Sequence, residues 1–159
     1  MNPIPNKLIG LVQLAMRLFV GGFYLLAGGL KVSNPGKFAE AVANYRILPH
    51  ALINLVAITL PWIEVVAGLF LVLGIWQKAS AWLINVMTAV FIAGITSAVI
   101  RGLNIECGCF GTVGGRKVGL TAIAEDVALL ACGLWLVWRS TGKRSHSPAP
   151  EVGLPLQTN

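Results

Sequence analysis

The stretch ALINLVAITLPWIEVVAGLFLVLGI, residues 51–75, decides the fold class of this chain. Glu64 is its single charged side chain. An α-helix needs about 20 consecutive apolar residues to cross the roughly 30 Å hydrocarbon core of a bilayer. A segment this long and this apolar is therefore predicted to be a membrane-spanning helix.

Three further runs have the same character. They are Leu8–Leu30, Ala79–Ile100 and Val118–Trp138. Apolar residues fill each run instead of alternating with polar ones over about ten positions, so helices are favoured over barrel strands. The first run is too long for the apolar core of a signal peptide, and we interpret it as a retained first helix. We predict an all-α fold, an integral membrane four-helix bundle formed by residues 1–139.

The overall composition agrees with a membrane protein. Hydrophobic residues make up 56% of the 159 positions and charged residues 11%, whereas soluble domains are about 45–50% apolar and about 25% charged. The formal net charge is +6, but the Lys and Arg residues are spread over the chain ends and the short loops, as membrane topology requires. Because no basic face is interleaved with aromatic side chains, nucleic acid is excluded as a partner. The lipid bilayer is the expected surrounding.

The connections between the runs differ in character. Residues 31–50 contain the turn signal Asn34-Pro35-Gly36. Apolar side chains then recur at helical spacing, at Phe38, Val42, Tyr45 and Leu48. This pattern predicts a short helix in the membrane interface between spans one and two. The tight connection 76–78 makes spans two and three antiparallel neighbours, and the Ser- and Pro-rich residues 140–159 are predicted to be a disordered tail.

The orientation follows from the distribution of positive charge. Four spans place both termini on one side of the membrane and the connection 101–117 on the other. Lys and Arg are nearly balanced between the two sides, so we give weight to the cluster Arg139, Lys143 and Arg144 directly after the last span. The positive-inside rule then predicts cytoplasmic termini. The connection 101–117 would face outward, where thiol pairs can be oxidised.

The motif Cys107-Gly108-Cys109 is the sharpest chemical signal in the chain. Two thiols one residue apart can form a small strained disulfide, and the glycine between them permits the unusual backbone angles. Strained disulfides are the oxidising, exchangeable ones. Two other interpretations stay open: two small apolar residues buried in a loop, and a thiolate pair that binds Cu(I). Cys132 lies inside span four, where packing is the favoured role.

Charged and polar side chains inside the spans form a second signal. Arg17, Glu64 and Asp126 each lie near the middle of a span, where charges are costly and face the bundle interior. Asn85 adds an amide on span three, and we predict that these four line a polar seam. An Arg17–Glu64 pair that fixes helix register is expected, with proton transfer as the alternative. Glu125 is about 100° from Asp126 around its helix, so one of the two is expected to face the seam. No set of residues indicates a metal site.

Several stretches together resemble the MauE family within the wider DoxX-like membrane proteins. They are Arg17 with GGFYLLAGGLK (21–31), NYRILP (44–49), LPWIEVVAGLFLVLG (60–74) and RGLNIECGCFG (101–111). The resemblance implies a bacterial inner-membrane protein with a periplasmic cysteine loop. It also implies a role beside an exported thioredoxin-like protein, in maturing a disulfide-rich periplasmic amine dehydrogenase in methylamine metabolism.

The leading hypothesis is a membrane thiol-disulfide component whose Cys107 and Cys109 exchange electrons with that thioredoxin-like partner. Lys31 is expected at the same membrane face, where its positive charge would favour the thiolate. No cofactor is visible in the sequence, and a quinone is the candidate electron acceptor. The alternative is a non-enzymatic assembly factor, or a bundle that handles a small molecule or metal, with a structural Cys-Gly-Cys loop.

Overall fold

The computed structural model describes residues 6–108 and 119–141, and every regular element in these ranges is an α-helix. The helices are α1 (Asn6–Ser33), α2 (Pro35–Asn44), α3 (His50–Leu73), α4 (Gln77–Ile100) and α5 (Leu120–Thr141). The predicted all-α fold is confirmed.

Four of these helices are long and apolar enough to cross a membrane. They cover Lys7–Ser33, His50–Leu73, Gln77–Ile100 and Leu120–Ser140. These segments match the four predicted spans closely; the first span was expected to end at Leu30 and extends to Ser33. Large apolar side chains such as Leu11, Leu55 and Val90 are exposed on the outside of the bundle, which is the surface that lipid tails cover. The chain is a multi-pass membrane protein.

Glycines bring the backbones of α1 and α3 together. A Cβ atom built on Gly68 would lie 2.8 Å from the backbone oxygen of Gly21, and one built on Gly21 would lie 2.9 Å from that of Gly68. Gly28 approaches Pro61 in the same way, since a Cβ atom built on Gly28 would lie 2.9 Å from the Pro61 carbonyl oxygen. Real Cβ atoms do not come this close to other atoms. Small residues therefore allow this helix contact, as is usual in membranes.

The second extensive helix contact joins α4 and α5. Asn85 lies against Gly133, where an added Cβ would be 2.5 Å from the amide oxygen. The helices meet around a buried apolar core, and Cys132 packs against it in the way its small side chain predicted. Members of this core from all four spans are Val20, Leu71, Ile84 and Leu136.

The bundle has two ends, which we name by what they carry. The loop face has α2 and residues 101–108, which follow the ends of α1 and α4. The terminal face has the turn between α3 and α4 and the start of α1. That turn consists of residues 74–76, slightly earlier than the predicted 76–78, because Gly74 adopts a left-handed φ of 79° that ends α3. Glycine commonly ends helices in this conformation.

The predicted short helix between the first two spans is confirmed as α2. Pro35 is its first residue, where the missing N–H is tolerated. Phe38 is buried, and α2 contacts both α1 and α3. The apolar face of α2 is thus turned toward the bundle, while its location in the membrane interface stays a prediction.

The last helix extends slightly beyond the expected domain boundary. α5 continues through Thr141, and the Ser140 hydroxyl donates a 2.8 Å hydrogen bond to the Val137 carbonyl within its final turn. Residues 142–159, which hold most of the predicted disordered tail, lie outside the described residues.

Candidate functional site: a cysteine loop above a buried ion cluster

Cys107 lies at the loop face and is only 3% exposed. Its side chain belongs to a small apolar cluster with Ile95 of α4 and Ala122 of α5, and Tyr45 and Ile123 pack against this cluster. The first cysteine of the motif is therefore shielded by the ends of two spans. Cys109, the second cysteine, lies outside the described residues.

Gly108, between the two cysteines, adopts the backbone conformation that the motif predicted. Its φ is +73°, in the left-handed region that side chains disfavour. Space is limited as well, because an added Cβ would lie 3.2 Å from the Cβ of Ala41 on α2. The expectation that Gly108 supplies a turn is confirmed at this residue.

Tyr45, just after α2, attaches the cysteine loop to the rest of the bundle. Its hydroxyl donates a 2.7 Å hydrogen bond to the carbonyl oxygen of Cys107. Arg101, at the end of α4, in turn donates from Nη2 to the Tyr45 carbonyl at 2.6 Å. A positive φ of 51° at Arg46 accompanies this connection. We name Tyr45, Arg101 and Cys107 the loop clasp.

Sequence reasoning missed the loop clasp. Tyr45 was assigned only to the apolar face of a helix, and Arg101 only to the positive charge of a connection. The contact from Tyr45 to Cys107 spans 62 positions in the chain, and no spacing pattern predicts it. A tyrosine at the end of an amphipathic helix does carry one signal, since a buried hydroxyl usually finds a hydrogen-bond partner.

Glu64 forms a buried ion pair with Lys31, which corrects the expected Arg17–Glu64 pair. The Lys31 ammonium lies 2.7 Å from Oε1 and 2.8 Å from Oε2 of Glu64. Each of these residues is 1% exposed. The ammonium also lies over the rings of Phe38 and Phe91, 5.0 and 4.8 Å from their centroids, at distances where cation–π attraction operates.

Arg17 serves a different part of the bundle. Its Nε donates to the Leu71 carbonyl and its Nη2 to the Val72 carbonyl, both at 3.0 Å. These oxygens belong to the last turn of α3, where backbone carbonyls lack partners within the helix. Arg17 therefore caps α3 at the terminal face.

The direction of helical side chains explains why the expected pairing was wrong. Cα–Cβ bonds in a helix tilt toward its N-terminus. The Lys31 side chain accordingly extends from the end of α1 back into the bundle and reaches Glu64. Arg17 extends in the same direction along α1, which takes its guanidinium away from Glu64 and toward the terminal face. A depth estimated by counting residues along a span ignores the direction in which the side chain extends.

The expected influence of Lys31 on the thiols stays a prediction. The Lys31 ammonium contacts the carboxylate of Glu64 rather than the Cys107 side chain. The Phe38 ring of α2 covers the Lys31 ammonium. Further along the same segment, Ala41 lies next to Gly108 and Tyr45 donates a hydrogen bond to Cys107. α2 therefore contacts both Lys31 and the cysteine loop.

Asp126 lines a small cavity beside the ion pair. The cavity has a volume of about 20 Å³, enough for one water molecule and far below the roughly 300 Å³ of the smallest typical ligand pockets, so a quinone ring does not fit. Its lining residues are Phe23, Tyr24, Ala27, Lys31, Glu64, Thr88, Phe91 and Asp126. Asp126 is 7% exposed, whereas its neighbour Glu125 is exposed. The expectation that one of the two faces the interior is confirmed.

Asn85 is buried but lies apart from this cavity. Its side-chain N–H donates to the Ala81 carbonyl of the preceding turn at 2.8 Å. Its amide oxygen has no hydrogen-bond partner among the described residues and faces Gly133. The structure thus brings Glu64 and Asp126 of the predicted seam together around Lys31, and leaves Asn85 and Arg17 in separate surroundings.

Within residues 6–108 and 119–141, no three His, Cys, Asp or Glu side chains are placed to hold one metal ion. The chemically distinctive features in these ranges are instead a cysteine in a clasped loop and an ion cluster beneath it. They define a class of protein: a multi-pass helical membrane protein with the first cysteine of a Cys-Gly-Cys motif packed against one end of its bundle.

The chain belongs to the MauE family. The family profile described as methylamine utilisation protein MauE matches residues 9–139, which include nearly all of the four spans and the cysteine motif. No solved structure matches the chain.

Individual relatives support the same assignment. The methylamine utilization protein MauE of Paracoccus denitrificans is 28% identical over 140 residues, which cover 87% of this chain and 74% of the relative. The protein of the same name from Methylorubrum extorquens is 28% identical over 133 residues, covering 80% of this chain and 72% of the relative. That of Paracoccus versutus is 27% identical over 125 residues, with 78% and 67% covered.

Proposed function

We propose that this chain is a membrane thiol-disulfide component that serves methylamine utilisation. Its Cys107 and Cys109 would exchange disulfides with an exported thioredoxin-like protein, which in turn matures an exported client such as a periplasmic amine dehydrogenase. The observation that carries the proposal is the conformation of the motif: Gly108 makes a left-handed turn directly after a cysteine held at one end of the bundle. The names of the relatives support the link to methylamine utilisation.

The proposed exchange is balanced between the two proteins. A thiolate of the reduced partner attacks the Cys109 sulfur, which breaks the Cys107–Cys109 bond and forms a mixed disulfide. Cys107 leaves as a thiolate and takes up a proton. The second thiolate of the partner then attacks the partner's own sulfur in the mixed disulfide and releases Cys109. The partner is thereby oxidised, and this chain becomes a dithiol. Two electrons pass to this chain in each exchange.

The burial of Cys107 supports the proposed order of these steps. Cys107 is 3% exposed and packs against the ends of α4 and α5, so a protein partner would have to move these ends to reach its sulfur. Thiol-disulfide exchange depends on access to the attacked sulfur. The intermolecular bond is therefore proposed to form at Cys109, with Cys107 as the internal partner. The loop clasp would hold the Cys107 backbone in place during the exchange.

The proposed location is the bacterial inner membrane with cytoplasmic termini and a periplasmic loop face. Arg139, in the last turn of α5, lies at the terminal face, which is the end expected in the cytoplasm under the positive-inside rule. This arrangement presents the cysteine loop to exported proteins.

A second function is favoured by one observation. The same burial of Cys107 would suit an assembly factor in which the motif is a static clip that fixes the loop to the bundle. Such a protein would support maturation without exchanging disulfides. A copper-handling bundle is a further outcome, recognised by copper retained in the purified protein under reducing conditions.

Trapping of mixed disulfides tests the proposal. In a Cys132→Ala background, Cys107→Ser leaves Cys109 as the reactive thiol, and Cys109→Ser is the matched control that leaves only the buried Cys107. Cells are quenched with acid, alkylated and analysed on non-reducing gels with mass spectrometry. We expect an exported thioredoxin-like protein attached to the Cys107→Ser variant and little on the control. A static clip would give no adduct with either variant.

A further inference from the structure

The cavity next to the ion pair contains more negative than positive charge. Of the described residues, three charged side chains line it: Lys31 from α1, Glu64 from α3 and Asp126 from α5. α4 contributes Thr88 and Phe91, which carry no charge. α2 covers Lys31 with the Phe38 ring, and its own charged residues Lys37 and Glu40 are exposed. One ammonium therefore faces two carboxylates.

The Lys31 ammonium is committed to Glu64. It contacts both carboxylate oxygens, at 2.7 and 2.8 Å, and two aromatic rings surround it. Asp126, in contrast, has an Oδ2 atom that is buried without a hydrogen-bond partner among the described residues. An ionised carboxylate left in this state inside a membrane protein is strongly unfavourable.

The nearby hydroxyl groups do not supply the missing donor. Thr88 donates its one hydroxyl proton to the Ile84 carbonyl at 2.8 Å. Tyr24 and Thr88 are also hydrogen-bonded, with 2.5 Å between their oxygens, so Tyr24 must be the donor in that bond. Both hydroxyl protons are thus used, and neither is available to Asp126.

We infer that Asp126 is a proton-binding site in the core of the bundle, with the proton as its ligand. A proton removes the excess negative charge and converts the carboxyl into a hydrogen-bond donor. A cavity of about 20 Å³ holds a water molecule that can deliver the proton. A metal cation would instead need several oxygen ligands and would lie next to the Lys31 ammonium, which repels it.

The position of Asp126 gives the proton a short path. Asp126 is six residues after Leu120, the first residue of α5, which corresponds to about 9 Å along the helix. The site is thus closer to the loop face than to the terminal face. Ionisable groups at such depth commonly mark proton pathways.

The test exploits the fact that Asp126 is the only aspartate in the chain. Protein made by cell-free synthesis with isotope-labelled aspartate carries one labelled side-chain carboxyl, which infrared spectroscopy in detergent separates from all glutamates. Near neutral pH we expect the label to show the carbonyl stretch of a protonated acid, and this band should disappear in alkaline buffer. Asp126→Asn, an amide of the same shape as the neutral acid, should fold and lose the band.

Glu40→Gln, on the exposed side of α2, provides the control, since it removes a carboxylate that does not line the cavity and should leave the labelled band in place. Two results would overturn the inference. The first is a labelled carboxyl that is ionised near neutral pH and whose signal does not respond to added salt. This result would mean that Lys31 neutralises both carboxylates. The second is an ionised label that responds to sodium or potassium, which would make the cavity a cation site.

Discussion

Lys31 and Glu64 join the loop-face end of α1 to the middle of α3 through two hydrogen bonds of 2.7 and 2.8 Å between one ammonium and one carboxylate. The pair is fully enclosed, with aromatic rings from α2 and α4 against the ammonium. Buried pairs of this kind specify which helices meet and in which register, even where an apolar pair would be equally stable. We therefore regard the pair as the polar contact that fixes α1 against α3.

Removal of one partner of this pair should destabilise the protein strongly. Glu64→Gln or Lys31→Met leaves the other charge buried and unpaired, for which about 3–5 kcal/mol is a guide. The double variant should recover most of this loss. Unfolding free energies in detergent provide the measurement, with Glu40→Gln on the exposed side of α2 as control. Single and double variants of equal stability would contradict the pairing.

Arg17 should contribute to stability independently of Glu64. Arg17→Gln removes two hydrogen bonds from a charged group to the end of α3, and about 1.5–3 kcal/mol is expected for such bonds. Because the two sites share no partner, the effects of Arg17→Gln and Glu64→Gln should add in the double variant. A double variant more stable than this sum would show that the two side chains interact after all.

These two residues show what the sequence could and could not predict. The four spans were evident from the length of the apolar runs, and the turn at Gly108 followed from a glycine between two cysteines. The partner of Glu64 was not predictable from depth alone, because the same tilt toward the N-terminus of α1 brings Lys31 to Glu64 and takes Arg17 past it toward the terminal face. The contact between Tyr45 and Cys107 depends on how α2 folds back onto the loop, which no local pattern encodes.

The close approach of α1 and α3 gives a prediction with an internal control. Gly68→Ala would place a methyl group 2.8 Å from the Gly21 carbonyl oxygen, so the helices must separate, and about 1–3 kcal/mol of stability should be lost. Gly29→Ala, on the same helix pair, meets nothing within 4 Å and should be neutral or slightly stabilising. Thermal unfolding of both variants in detergent makes the comparison. Equal effects would mean that the helix contact tolerates a larger residue.

Cysteine labelling tests both the orientation and the burial of Cys107. In a Cys132→Ala background, a variant that retains only Cys109 should react with a membrane-impermeant maleimide in intact cells. A variant that retains only Cys107 should react slowly, because its side chain is packed against Ile95 and Ala122, and Tyr45→Phe should accelerate that reaction by releasing the loop clasp. Labelling of Cys109 only after permeabilisation would place the loop face in the cytoplasm.

The redox potential of the Cys107–Cys109 couple is the most direct test of the proposed function. With one residue between the cysteines, the Cα atoms must come within about 7 Å, which requires the turn at Gly108. The strain of so small a ring should raise the potential above about −300 mV, below which structural disulfides lie. In a glutathione titration of purified protein, analysed by alkylation and mass spectrometry, we expect a reversible couple above that value. A disulfide too stable to be reduced by glutathione would contradict the account and identify the motif as a structural clip.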